Sequence, residues 1–235
     1  MRYYLEDSET VLKSLGTGED GLDAQQAEER TAKYGKNELV SGRRKSIFKR
    51  LAEQLSDPMI IVLIVAAVIS GIVGEAADMI IILLVVIVNS VLGVVQEGRA
   101  EKAIEALKKM ASPYSKVRRR GRVAQVRSSE IVPGDIVLLE AGDAIPADMR
   151  LIEAVNLKIE EASLTGESVP VDKISSPISA SDGDVPLGDR NNMAYMGTSV
   201  VYGRGEGAVV STGMATEMGK IASIISNTGE GKTPL

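Results

Sequence analysis

The 235-residue chain has no cysteine, no histidine and no tryptophan, and a single phenylalanine. Without cysteine there can be no disulfide, thiol nucleophile or thiolate metal site, and the redox compartment stays open. Without histidine the imidazole ligand and the usual general base of neutral pH are missing, so any proton transfer must use carboxylates. Aromatic residues make up 3% of the chain, leaving few surfaces on which bases could stack. The 27 basic and 32 acidic residues give a net charge of -5, which argues against a nucleic-acid partner. The opening MRYYLEDSET lacks the basic, apolar, small-residue order of a signal peptide.

What the chain does have is two uncharged apolar runs, Pro58 to Gly74 and Met79 to Gln96, separated by Glu75, Ala76, Ala77 and Asp78. As helices they would span roughly 25 to 27 Å each, slightly less than a ~30 Å hydrocarbon core. Both are apolar on all sides, which predicts a transmembrane hairpin; the competing expectation is a buried helical pair in a soluble domain. Arg43, Arg44, Lys45, Lys49 and Arg50 precede the first run, and Arg99, Lys102, Lys108 and Lys109 follow the second. The connecting turn carries only acids, so the positive-inside rule puts both termini in the cytoplasm. Asn89 and Ser90 in the second run suit hydrogen bonds to further membrane helices.

Around these runs the periodicity changes. GLDAQQAEERTAKYG predicts a short amphipathic helix with Leu22, Ala27, Ala32 and Tyr34 as apolar markers and Gly35 as its stop. After Gln96 the helix should continue as a charged stalk, with Glu105 and Lys109 at i,i+4 spacing, until Pro113. KVRRRGRVAQV reads as strand, glycine turn, strand, and DIVLLEAGDAIPADMRLIEA continues a β-rich domain. Arg118, Arg119, Arg120 and Arg122 form a basic tip, read as a solvated hairpin face or as a contact for phosphate or anionic lipid. SSPISASDGDVPLGD reads as a mobile surface loop, and flexible connections are expected near Ser41 and Thr233.

SLTGESVPV, Ser163 to Val171, places a lone carboxylate, Glu167, beside a glycine hinge between two strand-like stretches. A plain surface turn is one reading. A nucleophile elbow is excluded, because Pro170 replaces the last glycine of G-x-S-x-G and no histidine exists to activate Ser168. GKT, Gly231 to Thr233, imitates a P-loop end, but Ser226 stands where its first glycine would be.

With YGKNEL (Tyr34 to Leu39), IVPGDIV (Ile131 to Val137), GDAIPAD (Gly142 to Asp148), SLTGES (Ser163 to Ser168), GTSVVYG (Gly197 to Gly203) and KTPL (Lys232 to Leu235) in this order, the chain resembles the P-type ATPases, most closely the calcium-pump subgroup. NSVLGVVQEGRAEKAIEALK looks like that family's second transmembrane helix and stalk. The resemblance covers nearly the whole chain, most weakly its first twenty or so residues and the 175 to 190 loop.

The resemblance implies an α+β membrane protein fragment: an antiparallel transmembrane helical hairpin with a cytoplasmic β-rich, distorted jelly-roll-like actuator domain and a small N-terminal helical cap. The expected divisions are 1–46 for the N-terminal helical part of the actuator, 47–112 for the hairpin and stalk, and 113–235 for the β-rich part. It further implies that an aspartate elsewhere accepts phosphate from ATP and that Glu167 then orients and deprotonates the attacking water. Gly166 would allow close approach, while Thr165 and Ser168 would hold the loop or bind phosphate oxygens. Lys158 and Arg204 are candidate nucleotide-phosphate contacts in the assembled pump, or plain surface bases. ATP and Mg²⁺ belong to the full-length pump and none is expected on this chain alone.

No DKTGT phosphorylation sequence or nucleotide-binding domain occurs, so the chain is expected to be the front part of a longer pump and to hydrolyse no ATP alone. Its expected partners are the lipid bilayer, the phosphorylation and nucleotide-binding domains, the remaining transmembrane helices and a transported cation, Ca²⁺. Where several calcium pumps carry a glutamate before the aspartate of the first helix, this chain has Ser56 before Asp57, which weakens the ion assignment. Asp57 reads as a helix cap, an interfacial charge or part of an ion entrance. A stand-alone membrane-anchored regulatory module, or a Mg²⁺ or H⁺ pump of the same superfamily, are the alternatives.

Overall fold

The computed structural model describes residues 1–39, 46–110, 113–179 and 184–227, without the side chains of 47–49, 101–110 and 226–227. The basic flank at Arg43, Arg44 and Lys45, the Glu105 and Lys109 side chains, the connections at Ser41 and Thr233, and the GKT and KTPL segments lie outside the described residues. Two compact units emerge, one from Met1–Ser41 with Ser112–Leu235 and one from Gly42–Ala111.

The first unit begins with two helices, α1 (Ser8–Ser14) and α2 (Ala24–Tyr34). Asp7 caps α1 by accepting from Thr10 N at 2.7 Å. Asp23 and Gln26 form a reciprocal capping box on α2, and Gly35 ends it. Leu22 and Ala27 are buried beside Val132, but Ala32 and Tyr34 face solvent. The inward stripe is instead continued by Arg30, whose guanidinium donates to Pro133 O at 2.6 Å and Gly16 O at 3.1 Å.

The strands are β1 (Tyr114–Arg119), β2 (Arg122–Arg127), β3 (Ile136–Glu140), β4 (Asp148–Glu160), β5 (Val171–Asp172), β6 (Met193–Ala194) and β7 (Ser199–Ser211). They form one seven-stranded sheet in the order β2-β1-β3-β7-β4-β5, with β6 on β4, and each of these neighbouring pairs is antiparallel. Arg120 and Gly121 join β1 to β2 with φ of 52° and 70°, the two positive values whose twist suits a two-residue hairpin. β3 is buried on both faces: Val137 and Leu139 enter the main core with Met149, Leu151 and Ile159, while Ile136 packs with Leu12 of α1 and Ala208. α1 thus packs directly on the sheet, while α2 packs on Val132 just before β3.

Two expectations need correction. The basic tip is not uniformly solvated, because Arg118 pairs with Glu206 on β7 and Arg119 pairs with the buried Asp135 at 2.7 Å, leaving Arg120 and Arg122 outward. The described flanks of the loop expected to be mobile are anchored: Ile178 N donates to Tyr4 O at 3.0 Å, and Ile178, Val185 and Leu187 pack against Tyr4, Met193 and Tyr195. Residues 180–183 are outside the description.

The second unit holds α3 (Ile47–Leu55), α4 (Pro58–Val73) and α5 (Ala76–Met110). Asp57 caps α4, accepting from Met59 N at 2.8 Å with Pro58 in the first turn, and Gly74 ends it in the left-handed region. α4 packs against α5, and α3 also approaches α5: a Cβ on Gly93 would stand 2.7 Å from Gln54 Oε1, so glycine permits that contact. Ala76–Ala100 is long and apolar enough to cross a membrane, the one such span among the described residues, and α4 is a shorter apolar helix of 16 residues.

Candidate functional site

β4 runs into Glu161, and the chain then makes a single helical turn, α6 (Ala162–Thr165), stopped by Gly166. The carbonyl of Glu161 accepts from Leu164 N at 2.9 Å, Thr165 N at 3.0 Å and the Thr165 hydroxyl at 3.1 Å. Gly166 closes the turn with its N–H on Ala162 O at 3.0 Å and takes φ of 78°, which a side chain would strain. Thr165 Oγ1 accepts in turn from Glu167 N at 3.2 Å, so one hydroxyl links the start of the turn to the residue after its hinge. Ser163 Oγ fixes the outer side by donating to Gly197 O at 3.1 Å.

Glu167 and Ser168 stand exposed beyond this turn. The arrangement therefore presents a carboxylate to solvent on a backbone held at several points, suited to taking a proton from a molecule brought by another surface. Thr165 is half-buried and its hydroxyl serves the turn. Ser168 makes no hydrogen bond among the described residues. Leu164 reaches inward to the cluster of Tyr4, Met193 and Tyr195, so the N-terminal segment buttresses the turn.

Lys158 and Arg204 lie on the β4–β7 ribbon, opposite Tyr202 and Val155 respectively. Lys158 pairs with Asp172 at 3.0 Å, and Arg204 is exposed. Among the described residues neither has a hydrogen bond or ion pair to 163–168.

Sequence reasoning missed the support beneath the turn. Glu161 precedes it and Lys173 follows it; their side chains are 1% and 0% exposed and meet at 2.6 Å. Burial pushes the Glu161 carboxyl up and the Lys173 ammonium down, each partly opposed by the other's charge. The available signal was strand phase: Leu157, Ile159 and Glu161 alternate inward, so a charge in that phase demands a partner.

The other motifs turn out to be clamps. Asn37 donates to Ser128 O at 2.9 Å and Pro146 O at 2.8 Å and accepts from Gly213 N at 2.8 Å. Asp135 holds Arg119 and accepts from Val132 N at 3.0 Å. Asp148 accepts from Met196 N at 2.9 Å and from Glu217 N at 2.8 Å, at the start of α7 (Glu217–Asn227); burial first of all pushes its pKa up to about 6.

Residues 109–226 match the family described as the P-type ATPase actuator domain, and residues 3–70 match the cation transporter/ATPase N-terminus. The chain is similar to "Calcium-transporting ATPase 1" of Bacillus cereus, 50% identical over 99% of this chain and 27% of the relative. It is similar also to "Calcium-transporting ATPase" of Bacillus subtilis, 42% identical over 100% of this chain and 26% of the relative. "Sodium/potassium exporting P-type ATPase cta3" of Schizosaccharomyces pombe is 36% identical over 97% of this chain and 22% of the relative. The chain thus spans about a quarter of the length of these relatives. A match to the actuator domain across half of the residues, joined to the N-terminal match before it, means that this chain belongs to the P-type ATPase family.

Proposed function

We propose that this chain is the actuator and first membrane hairpin of a Ca²⁺-transporting pump, and that Glu167 is the general base that hydrolyses the pump's aspartyl phosphate. The single observation that carries this reading is the exposed Glu167 on a turn fixed from both sides. In the reaction, the oxygen of water attacks phosphorus, the bond from phosphorus to the aspartate oxygen breaks, and the water proton passes to the Glu167 carboxylate. Inorganic phosphate leaves. Thr165 and Gly166 set the carboxylate's position, and Ser168 is free to meet a phosphate oxygen. Lys158 and Arg204, which make no described hydrogen bond to the turn, remain nucleotide contacts of the assembled pump or plain surface bases.

ATP and Mg²⁺ are assigned to the phosphorylation and nucleotide-binding domains of the full-length pump. The membrane role is supported by outward apolar side chains such as Ile72 at 80%, Val62 at 67% and Ile87 at 64% exposure. Each would gain about 1.5 to 3 kcal/mol on leaving water. α4 and α5 are read as an antiparallel hairpin with both termini cytoplasmic, as the basic flanks require. At about 24 Å, α4 is short, and flanking residues or local thinning make up the difference. Ca²⁺ is preferred because the calcium-transporting relatives named above reach 50% identity, against 36% for the sodium/potassium exporter.

The test is Glu167→Gln in a complete pump, built by joining this chain to the remainder of the Bacillus cereus relative. Phosphorylation should survive, and phosphoenzyme decay should slow by about 10² to 10⁴-fold. Unslowed decay would remove the base role.

A further inference from the structure

The Glu161–Lys173 pair closes the loop that carries Glu167. Lys173 follows β5, its N–H donating to Leu157 O at 2.8 Å, and Glu161 follows β4, so the two ends of the segment meet in the core. Among the described residues neither the carboxylate oxygens nor the ammonium has a well-angled hydrogen bond, so the two charges are held by their ion pair at 2.6 Å. Such a pair is a poor way to gain stability, since apolar residues of similar volume commonly serve as well or better. What a buried charged contact adds over apolar packing is a choice of partner: each charge is costly to bury unless it stays beside the other, which ties the two ends of the segment together. Glu161 is also the residue whose carbonyl takes three hydrogen bonds from the turn.

We infer that Glu161 and Lys173 are positioning residues, a buried ionic clamp that holds the 162–167 turn in the one orientation that presents Glu167 to its phosphorylated partner. The inference rests on the base role given to Glu167, and acts through it: neither side chain touches substrate. Replacing both by methionine keeps the volume apolar and filled, so the fold should survive while the turn loses its fixed register.

The test uses Glu161→Met/Lys173→Met. In this chain the melting temperature should be unchanged or raised, while amide hydrogens of Leu164, Thr165 and Gly166 exchange faster. In the completed pump, phosphorylation should proceed normally and phosphoenzyme decay should slow by about 10- to 100-fold, as expected for a misplaced catalytic group. Failure of the double variant to fold would make the pair a stability element and overturn the inference. Unchanged decay in a folded double variant, beside a stalled Glu167→Gln pump, overturns it as well. Rapid decay in the Glu167→Gln pump would instead sink the base role, and the exchange rates would then decide alone whether the clamp orders the turn.

Discussion

Asp148 offers a measurable link between burial and stability. The residue is 4% exposed and its pKa is raised from 3.8 to about 6, first by desolvation, against the backbone hydrogen bonds from Met196 and Glu217; the Glu217 charge adds to the rise and Lys220 opposes it. Because the folded protein holds this proton more tightly than the unfolded chain, stability must fall as pH rises from about 4 to 6, and then level off. A shift of about two units corresponds to a loss of about 3 kcal/mol. Asp148→Asn removes the titration while keeping the shape. All six tyrosines belong to the first unit and there is no tryptophan, so tyrosine fluorescence during urea denaturation reports on that unit alone. Subtracting the variant's stability from the parent's across pH 4 to 7 cancels Glu161, which titrates in the same direction in both proteins. The difference should fall by about 3 kcal/mol. A difference flat to within about 0.5 kcal/mol would refute the reasoning.

Asn37→Ala strips two carbonyls and one N–H of a buried partner and should lower stability by about 3 kcal/mol, read as a lower urea midpoint. Arg150, fully buried in β4, donates to Tyr3 O at 3.2 Å, Glu6 O at 2.9 Å and Leu151 O; Arg150→Met should free the first residues, seen as faster proteolysis before Asp7. Gly166→Ala should cost about 1 to 2 kcal/mol from the left-handed hinge alone and slow phosphoenzyme decay in the completed pump, measured by denaturation and by chase of the phosphoenzyme.

Local signals were legible where the chain's own neighbours set the structure. The β1–β2 hairpin followed from alternation around Gly121 and the end of α2 from Gly35, and the helix cap was one of the readings given for Asp57. α3 was not seen, because Lys49 and Arg50 read as a basic flank and hid the spacing of Leu51 and Leu55. Contacts between distant segments were illegible for a different reason. Nothing in SSPISASDGDVPLGD announces that Ile178 bonds to Tyr4, and nothing in the RRRG tip announces Glu206 or Asp135. The exposed Glu167 was readable from its glycine hinge, but the ionic clamp under it needed Lys173 to be placed beside Glu161 by β5 pairing.

The clamps also bear on how a turn on one unit could act on helices in another. The first unit is assembled from two sequence segments, with Gly42–Ala111 inserted between them. Arg30, Asn37 and Arg150 tie the segments together through bonds to Pro133, Ser128, Pro146, Tyr3 and Glu6, so the N-terminal part cannot shift without breaking buried hydrogen bonds. The insert is joined to the first unit through both of its ends. On the reading proposed above, turning of the first unit would reach the inserted helices through both joins. Weakening the ties should therefore slow coupling more than phosphorylation: in the completed pump Arg150→Met is expected to leave phosphoenzyme formation intact but lower the Ca²⁺ moved per ATP consumed. An unchanged ratio would show that the N-terminal segment transmits none of the motion.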